Sequence, residues 1–286
     1  MNAVNNSEAT SPHERAAMNE SVSHNTGDQK VRFFVLGPLV AYRGTKLVDL
    51  GPAKQRSLLA VLALHPNQPV TRTEIIDSLW ADHAPTSVQN LVHTYIARLR
   101  LKLEQRPRPR GRGQVIVSTA QGYMLNADTD QLDLLRFREL LKSTEARRDE
   151  ENPDIVFATL REAVDLWRGD ILTDVRIDSP SMPATVALRH EYVMATIRLA
   201  QAANALERDA EVLPTLERAV QVEPLHEGIC ARLMIALASS GNQVGALRVF
   251  HGLRVQLQRE FGVDPGPELR RAHQRILRHE IHSRTA

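Results

Sequence analysis

Apolar residues recur along this chain with two different periods, and the change of period organises it. Between Val31 and Leu50 the pattern is short and strand-like. VRFFVLG leads to Leu39–Tyr42, then through Arg43-Gly44 into Lys46–Leu50, which predicts a small antiparallel sheet. From Gly51-Pro52 the period lengthens. AKQRSLLAVLALH places Leu58, Leu59, Val61 and Leu62 on a helix, with Pro52 near the first turn, where a missing N–H does little harm; His65-Pro66-Asn67 ends it. A second helix starts at Thr71 or Thr73 and carries Ile75, Ile76, Leu79 and Trp80, and the loop Ala81–Pro85 follows. In TSVQNLVHTYIARLRLKL, residues Val88, Val92, Ile96, Leu99 and Leu103 recur at intervals of three and four, one face of a third helix, with Thr86 or Ser87 as its N-cap. QVIVSTAQGYML then reads as two short strands around a tight turn, with Gly122 suiting the turn. Sheet, two helices, loop, basic helix and hairpin, in that order, predict a winged helix-turn-helix over residues 30–126.

Beyond Asn126 the pattern is helix after helix, with an internal similarity at an offset of 34 residues. Leu199 corresponds to Leu233, Ala203 to Leu237, Leu213 to Leu247 and Leu216 to Phe250. An earlier copy, FATLREAVDLW (Phe157–Trp167), lines up with Val212–Val222, and GDILTDVRIDSPSMP is inserted between them. That period is the length of a tetratricopeptide helix pair, which buries its apolar face only by stacking on neighbours. An irregular helical bundle is the competing reading. The expected fold class is therefore mainly α with small β-sheets: an α+β winged helix-turn-helix, then an all-α tetratricopeptide-like domain over 132–282. Residues 1–29, rich in Asn, Ser, Glu and Thr, read as a disordered leader.

Charge sharpens the first half. The whole chain carries +2, but residues 30–126 hold fourteen basic and five acidic residues, a net of +9, so the remainder carries −7. Such asymmetry points to a polyanion for one domain. On the third helix, Asn90, Thr94 and Ala97 lie opposite the apolar stripe, flanked by His93 and Arg98; these short or polar side chains suit contact with base edges. Arg100 and Lys102 are better placed for phosphates, and Leu101 falls on the polar face. Arg106, Arg108, Arg110 and Arg112 form a basic loop that either adds salt-sensitive affinity or is simply solvated. Trp80 suits a core aromatic as well as a phosphate contact.

Catalytic and cofactor chemistry has no foothold. Eleven histidines show no metal-ligand spacing, no GxxxxGK[ST] loop occurs, and the single cysteine, Cys230, sits on an apolar helical pattern as a core thiol. No metal, cofactor or enzymatic activity is expected. No run of 18 apolar residues and no signal-peptide core is present, so the expected location is the cytoplasm, at the nucleoid, with no membrane partner.

Several motifs in order resemble one family. LGPLVAYRGTKLVDLGPAKQRSLLAVLAL, the SLW of the second helix, SVQNLVHTYIARLRLKLE, STAQGYML, AVDLWRGDIL and FGVDPGPELRRAHQRIL are similar to the Streptomyces antibiotic regulatory proteins, small type, over essentially residues 31–282. The resemblance implies a response-regulator-type winged helix joined to a bacterial transcriptional activation domain, acting at antibiotic and other secondary-metabolite gene clusters. It further implies that Arg98 and Arg100 contact DNA from the recognition helix and that Arg72 and Trp80 touch backbone phosphates. Asn90, His93, Thr94 and Tyr95 would face the groove, and Gln121, at the wing tip, would approach the minor groove. Ala97 stands where the class often has a basic residue, so that contact is not expected. Two protomers would bind direct repeats side by side, overlapping the −35 element. The loop Ala81, Asp82, His83, Ala84, Pro85 would meet RNA polymerase holoenzyme, including its principal sigma factor. A repressor using the same winged helix, and an adaptor whose repeats bind a protein or small ligand, are the alternatives.

Overall fold

The computed structural model describes residues 30–104, 114–146, 152–177 and 183–281. The leader and the PRPRGRG run lie outside the described residues. Strands β1 (Val31–Phe34), β2 (Val40–Arg43) and β3 (Lys46–Leu47) form an antiparallel sheet in that order, with Val31 opposite Arg43 and Tyr42 opposite Leu47. Alternation sets its buried face: Val31, Phe33 and Ala41 point into the core while Arg32 stays outside.

Helix α1 (Ala53–Leu64) buries Leu58, Leu59, Val61 and Leu62 as the spacing predicts; Pro52 precedes it at the N-cap in an extended conformation rather than within the first turn. A two-residue strand, β4 (Val70–Thr71), comes next and was not legible in the apolar pattern. Thr71 then caps α2 (Arg72–Trp80) with a reciprocal box: the Glu74 N–H donates to Thr71 Oγ1 at 3.1 Å, and the Thr71 N–H donates to Glu74 Oε2 at 2.8 Å. A 3-10 turn (Ala81–His83) leads to α3 (Val88–Leu103). There Val92, Ile96, Leu99 and Leu103 are buried and Val88 half-buried. Ser87 occupies the N-cap of α3, yet neither candidate hydroxyl caps it; the Val88 N–H donates instead to Pro85 O at 3.0 Å.

Strands β5 (Ile116–Ser118) and β6 (Gly122–Leu125) make the wing, and β4 joins them in the order β4-β6-β5. Gly122 serves a different purpose from the one its place beside the turn suggests. A Cβ there would lie 2.0 Å from Val70 O, so glycine lets β6 approach β4.

The second half is helical: α4 (Asp133–Ala146), α5 (Pro153–Asp165), α6 (Pro183–Ala205), a 3-10 turn (Asp209–Val212), α7 (Leu213–Val222), α8 (Glu227–Ser239), α9 (Gln243–Phe261) and α10 (Pro267–Leu277). The offset of 34 maps α6 onto α8 and α7 onto α9, and the Phe157 copy falls on α5. Leu199, Ala203, Leu216 and Leu233 are all buried. Cys230 is buried too, and burial pushes its thiol up to about 11, as suits a core residue. No helix among the described residues is long and apolar enough to cross a membrane.

The two halves share one core, which runs without a break from Val31 to Ala236. At the joint, Phe33 pairs with Leu132 in a parallel bridge, and the Phe33 N–H donates to Gln131 O at 2.6 Å. The buried carboxylate of Asp133 accepts from the Val35 N–H at 2.9 Å and the Leu36 N–H at 3.0 Å. Arg168 and the GDILTDV insertion after it cross to the same loop. The Arg168 N–H donates to Leu36 O and the Leu172 N–H to Gly37 O, both at 2.8 Å, while Asp174 accepts from the Leu39 N–H and pairs with Arg56.

Candidate nucleic-acid interface

Helix α3 presents its polar face outward because its apolar stripe is spent on α1 and α2. Asn90, His93, Thr94, Ala97, Arg98 and Leu101 are exposed along it, Leu101 at 67 %. The wing tip follows from a local lock: the Thr119 N–H donates to Gly122 O and the Gly122 N–H to Thr119 Oγ1, both at 3.0 Å, which leaves Gln121 exposed between them.

The predicted site residues fall into two groups by what their side chains already hold. Arg72, Asn90, Arg98 and Gln121 are exposed, and none has a side-chain hydrogen bond or ion pair among the described residues. They stand at the start of α2, on the outer face of α3 and at the wing tip. An exposed, unengaged guanidinium or amide keeps its full donor set for a base edge or phosphate.

The remaining side chains are occupied within the protein. Arg100 is half-buried; its Nε donates to Ile116 O at 2.9 Å and its Nη2 to Ser118 Oγ at 2.8 Å, binding α3 to the wing. Lys102 turns to the first sheet, where its Nζ meets Asp49 Oδ2 at 2.6 Å and holds the Asp49 carboxyl below its ordinary range. His93 Nδ1 lies 2.6 Å from the Tyr123 hydroxyl, a second tie between α3 and the wing. The Thr94 hydroxyl donates to Asn90 O at 2.8 Å. Trp80 and Tyr95 stack nearly parallel, at 13°, with Lys54 Nζ over the indole at 5.5 Å. Trp80 is thus half-buried packing between α2 and α3, and the cation beside it is Lys54.

Three residues outside the predicted set shape this surface. Tyr123 and Ser118 receive the ties from α3, and buried Glu104 accepts from the Gln114 and Val115 N–H groups at 2.9 and 3.2 Å, closing the base of the wing. Periodicity carries no signal for any of them, because each partner lies 10 to 30 residues away across a hairpin.

The exposed loop between α2 and α3 has a defined shape. Ala81 adopts φ 47°, ψ −126°, a region costly for a residue with a Cβ, and the 3-10 turn follows. Ala81, His83, Ala84 and Pro85 are exposed; the side chain of Asp82 lies outside the described residues.

Comparison with known proteins matches this arrangement along nearly the whole chain. Residues 45–125 match the family model for the C-terminal domain of transcriptional regulatory proteins, and residues 132–277 match the bacterial transcriptional activator domain. The chain is 34 % identical over 250 residues to the transcriptional regulatory protein MoaR1 of Mycobacterium tuberculosis, covering 87 % of this chain and 79 % of that one. It is 31 % identical over 248 residues to the regulatory protein DnrI of Streptomyces peucetius, covering 85 % and 91 %. The solved structure of Mycobacterium tuberculosis EmbR in complex with a low-affinity phosphopeptide superposes with a TM-score of 0.73 at 30 % identity, over 88 % of this chain and 66 % of that one. With both domains matched in order on a winged helix-turn-helix and a tetratricopeptide-like array, the chain belongs to the Streptomyces antibiotic regulatory protein family of transcriptional regulators, which are not enzymes.

Proposed function

We propose that this regulator activates a secondary-metabolite gene cluster by binding direct repeats at the −35 element and recruiting RNA polymerase. The observation that carries the reading is the set of four unengaged polar side chains, Arg72, Asn90, Arg98 and Gln121, spread over the α2 start, the α3 face and the wing tip. Asn90 and Arg98, with the methyl of Thr94, read base edges in the major groove. Arg72 holds a phosphate, and Gln121 approaches the minor groove. Arg100, His93, Tyr95, Lys102 and Trp80 act as positioning residues that set the angle between α3, the wing and α2. Two protomers lie side by side on the repeat, at the nucleoid. The shaped loop Ala81–Pro85 contacts polymerase holoenzyme, including the principal sigma factor; its exposure beside α3 supports this assignment.

Footprinting on the chain's own promoter region, followed by transcription in vitro with purified holoenzyme, tests the proposal. Protection of a direct repeat and a rise in transcript are expected; protection with a fall in transcript makes the protein a repressor. Replacing Arg98 by Ala should lower affinity for the repeat at least tenfold while leaving random DNA nearly unchanged, as expected for a base-reading arginine worth about 1–3 kcal/mol. Equal affinities of variant and wild type would remove Arg98 from the base-reading set.

A further inference from the structure

Charge is divided within the helical half as well as between the halves. Residues 127–242 hold thirteen basic and twenty-one acidic residues, a net of −8. Residues 243–281, which carry α9 and α10, hold seven basic and four acidic residues, a net of +3, and all seven are arginines. In the acidic part arginine serves the fold: of those described from Arg136 to Arg232, all but Arg176 lie beside a carboxylate. In α9 and α10 the carboxylates are already taken. Asp264 lies 4.0 Å from Arg254, Glu268 meets Arg232 of α8 at 3.3 Å, Glu280 lies 3.7 Å from Arg278, and Glu260 accepts from Gln256 at 3.0 Å. Arg248, Arg259, Arg270 and Arg275 are left exposed, and none has a side-chain hydrogen bond or ion pair among the described residues.

These four stand on the solvent side of one antiparallel helix pair. Gln243 Nε2 donates to Ile276 O at 3.3 Å at one end, Phe250 stacks on His273 with centroids 3.9 Å apart, and Arg254 meets Asp264 at the other end. Like charges gathered on one surface repel, and binding an anion relieves that cost. A guanidinium fork matches two phosphate oxygens at once, which an ammonium does not. The winged half, at +9, is the other positive region. Helix α8 ties the two together: its Leu233 and Ala236 belong to the core shared with the winged half, and its Met234 and Ile235 to the core beneath α9 and α10. Duplex DNA, with one charge about every 1.7 Å, is an anion long enough to meet both surfaces.

We propose that the outer face of α9 and α10 is a second DNA-binding surface, which holds phosphates of the duplex flanking the repeat and reads no sequence. The proposal rests on the DNA-binding reading above and adds a contact outside the winged helix.

Two probes test it on the full chain by fluorescence anisotropy across salt concentrations: the protected repeat alone, and the repeat extended by about two helical turns on each side. The longer probe is expected to bind about tenfold more tightly, with a steeper slope of log affinity against log salt. A variant combining Arg248→Gln, Arg259→Gln, Arg270→Gln and Arg275→Gln should keep its thermal stability and its affinity for the short probe. On the long probe its slope should fall by about two to four, erasing the gain from the flanks. Equal binding of the two probes by the wild-type chain overturns the proposal, whether or not the variant folds. An unchanged slope in the folded variant overturns it too. Unaltered DNA binding with a lower transcript yield from purified holoenzyme would also overturn it, and would give the surface to an acidic protein. Failure of the wild-type chain to bind either probe would remove the DNA-binding reading itself, and this surface with it.

Discussion

Arginines two residues apart on one helix are held in opposite ways here, one clear of partners among the described residues and one tied to the wing. Arg98 is exposed and unengaged, whereas Arg100 spends its Nε and Nη2 on Ile116 O and Ser118 Oγ of the wing. Spacing alone treats RLR as one motif, because the wing carbonyl that claims Arg100 is 16 residues away, in a register the residue pattern does not reveal. The difference is testable with a charge-preserving change. If Arg100 held a phosphate, Arg100→Lys would be nearly silent. As a two-point tie it requires the guanidinium fork, so Arg100→Lys should lower thermal stability by about 1 kcal/mol and weaken the repeat several-fold in a gel shift. Arg72 behaves differently again. Arg72→Ala should weaken all DNA sequences alike and reduce the slope of log affinity against log salt by about one, measured by fluorescence anisotropy across salt concentrations.

Among the elements, helices were legible and the short strand was not. Repeating apolar positions located α1, α2 and α3 and the offset of 34 located the helix pairs, since burial on one face enforces a period over many residues. Strand β4 has only Val70 and Thr71, too few to show any period, yet it anchors the wing by pairing Val70 with Tyr123 and Thr71 with Gly122. The wing is therefore a three-stranded sheet, and its weak point is the crossing at Gly122. Gly122→Ala should destabilise the protein by about 2 kcal/mol, because the added methyl meets Val70 O at 2.0 Å and must push β6 from β4. Hydrogen exchange should show the β5 and β6 amides losing protection before those of α1. DNA affinity should fall although no DNA-facing side chain has changed.

For the molecule as a whole, the inserted segment between the first and second helix pairs was visible as an interruption but not as a fastening. Its partners, Leu36, Gly37, Leu39 and Arg56, lie more than a hundred residues earlier, and nothing local announces them. At the same joint, Asp133 is 5 % exposed, and burial pushes its carboxyl up to about 6 despite the N–H groups of Val35 and Leu36 and Arg168 at 3.9 Å. A carboxyl with a higher pKa in the folded state binds more protons there than when unfolded, between roughly pH 4 and 6, so its contribution to stability falls as pH rises through about 6. The melting temperature should therefore drop between about pH 4 and 6.5, and Asp133→Asn should flatten that drop, as scanning calorimetry at several pH values will read. A slope unchanged by the substitution would assign the effect to other groups. The joint also bears on how such regulators are assembled by recombination. Because β1 is completed by Gln131 and Leu132, and its following loop is held by Asp133, Arg168, Leu172 and Asp174, the packing of the first half depends on residues beyond Asn126. A chimera that exchanges DNA specificity between relatives should keep its crossover beyond Arg176, or carry the matching Leu36–Leu39 loop with the helical domain.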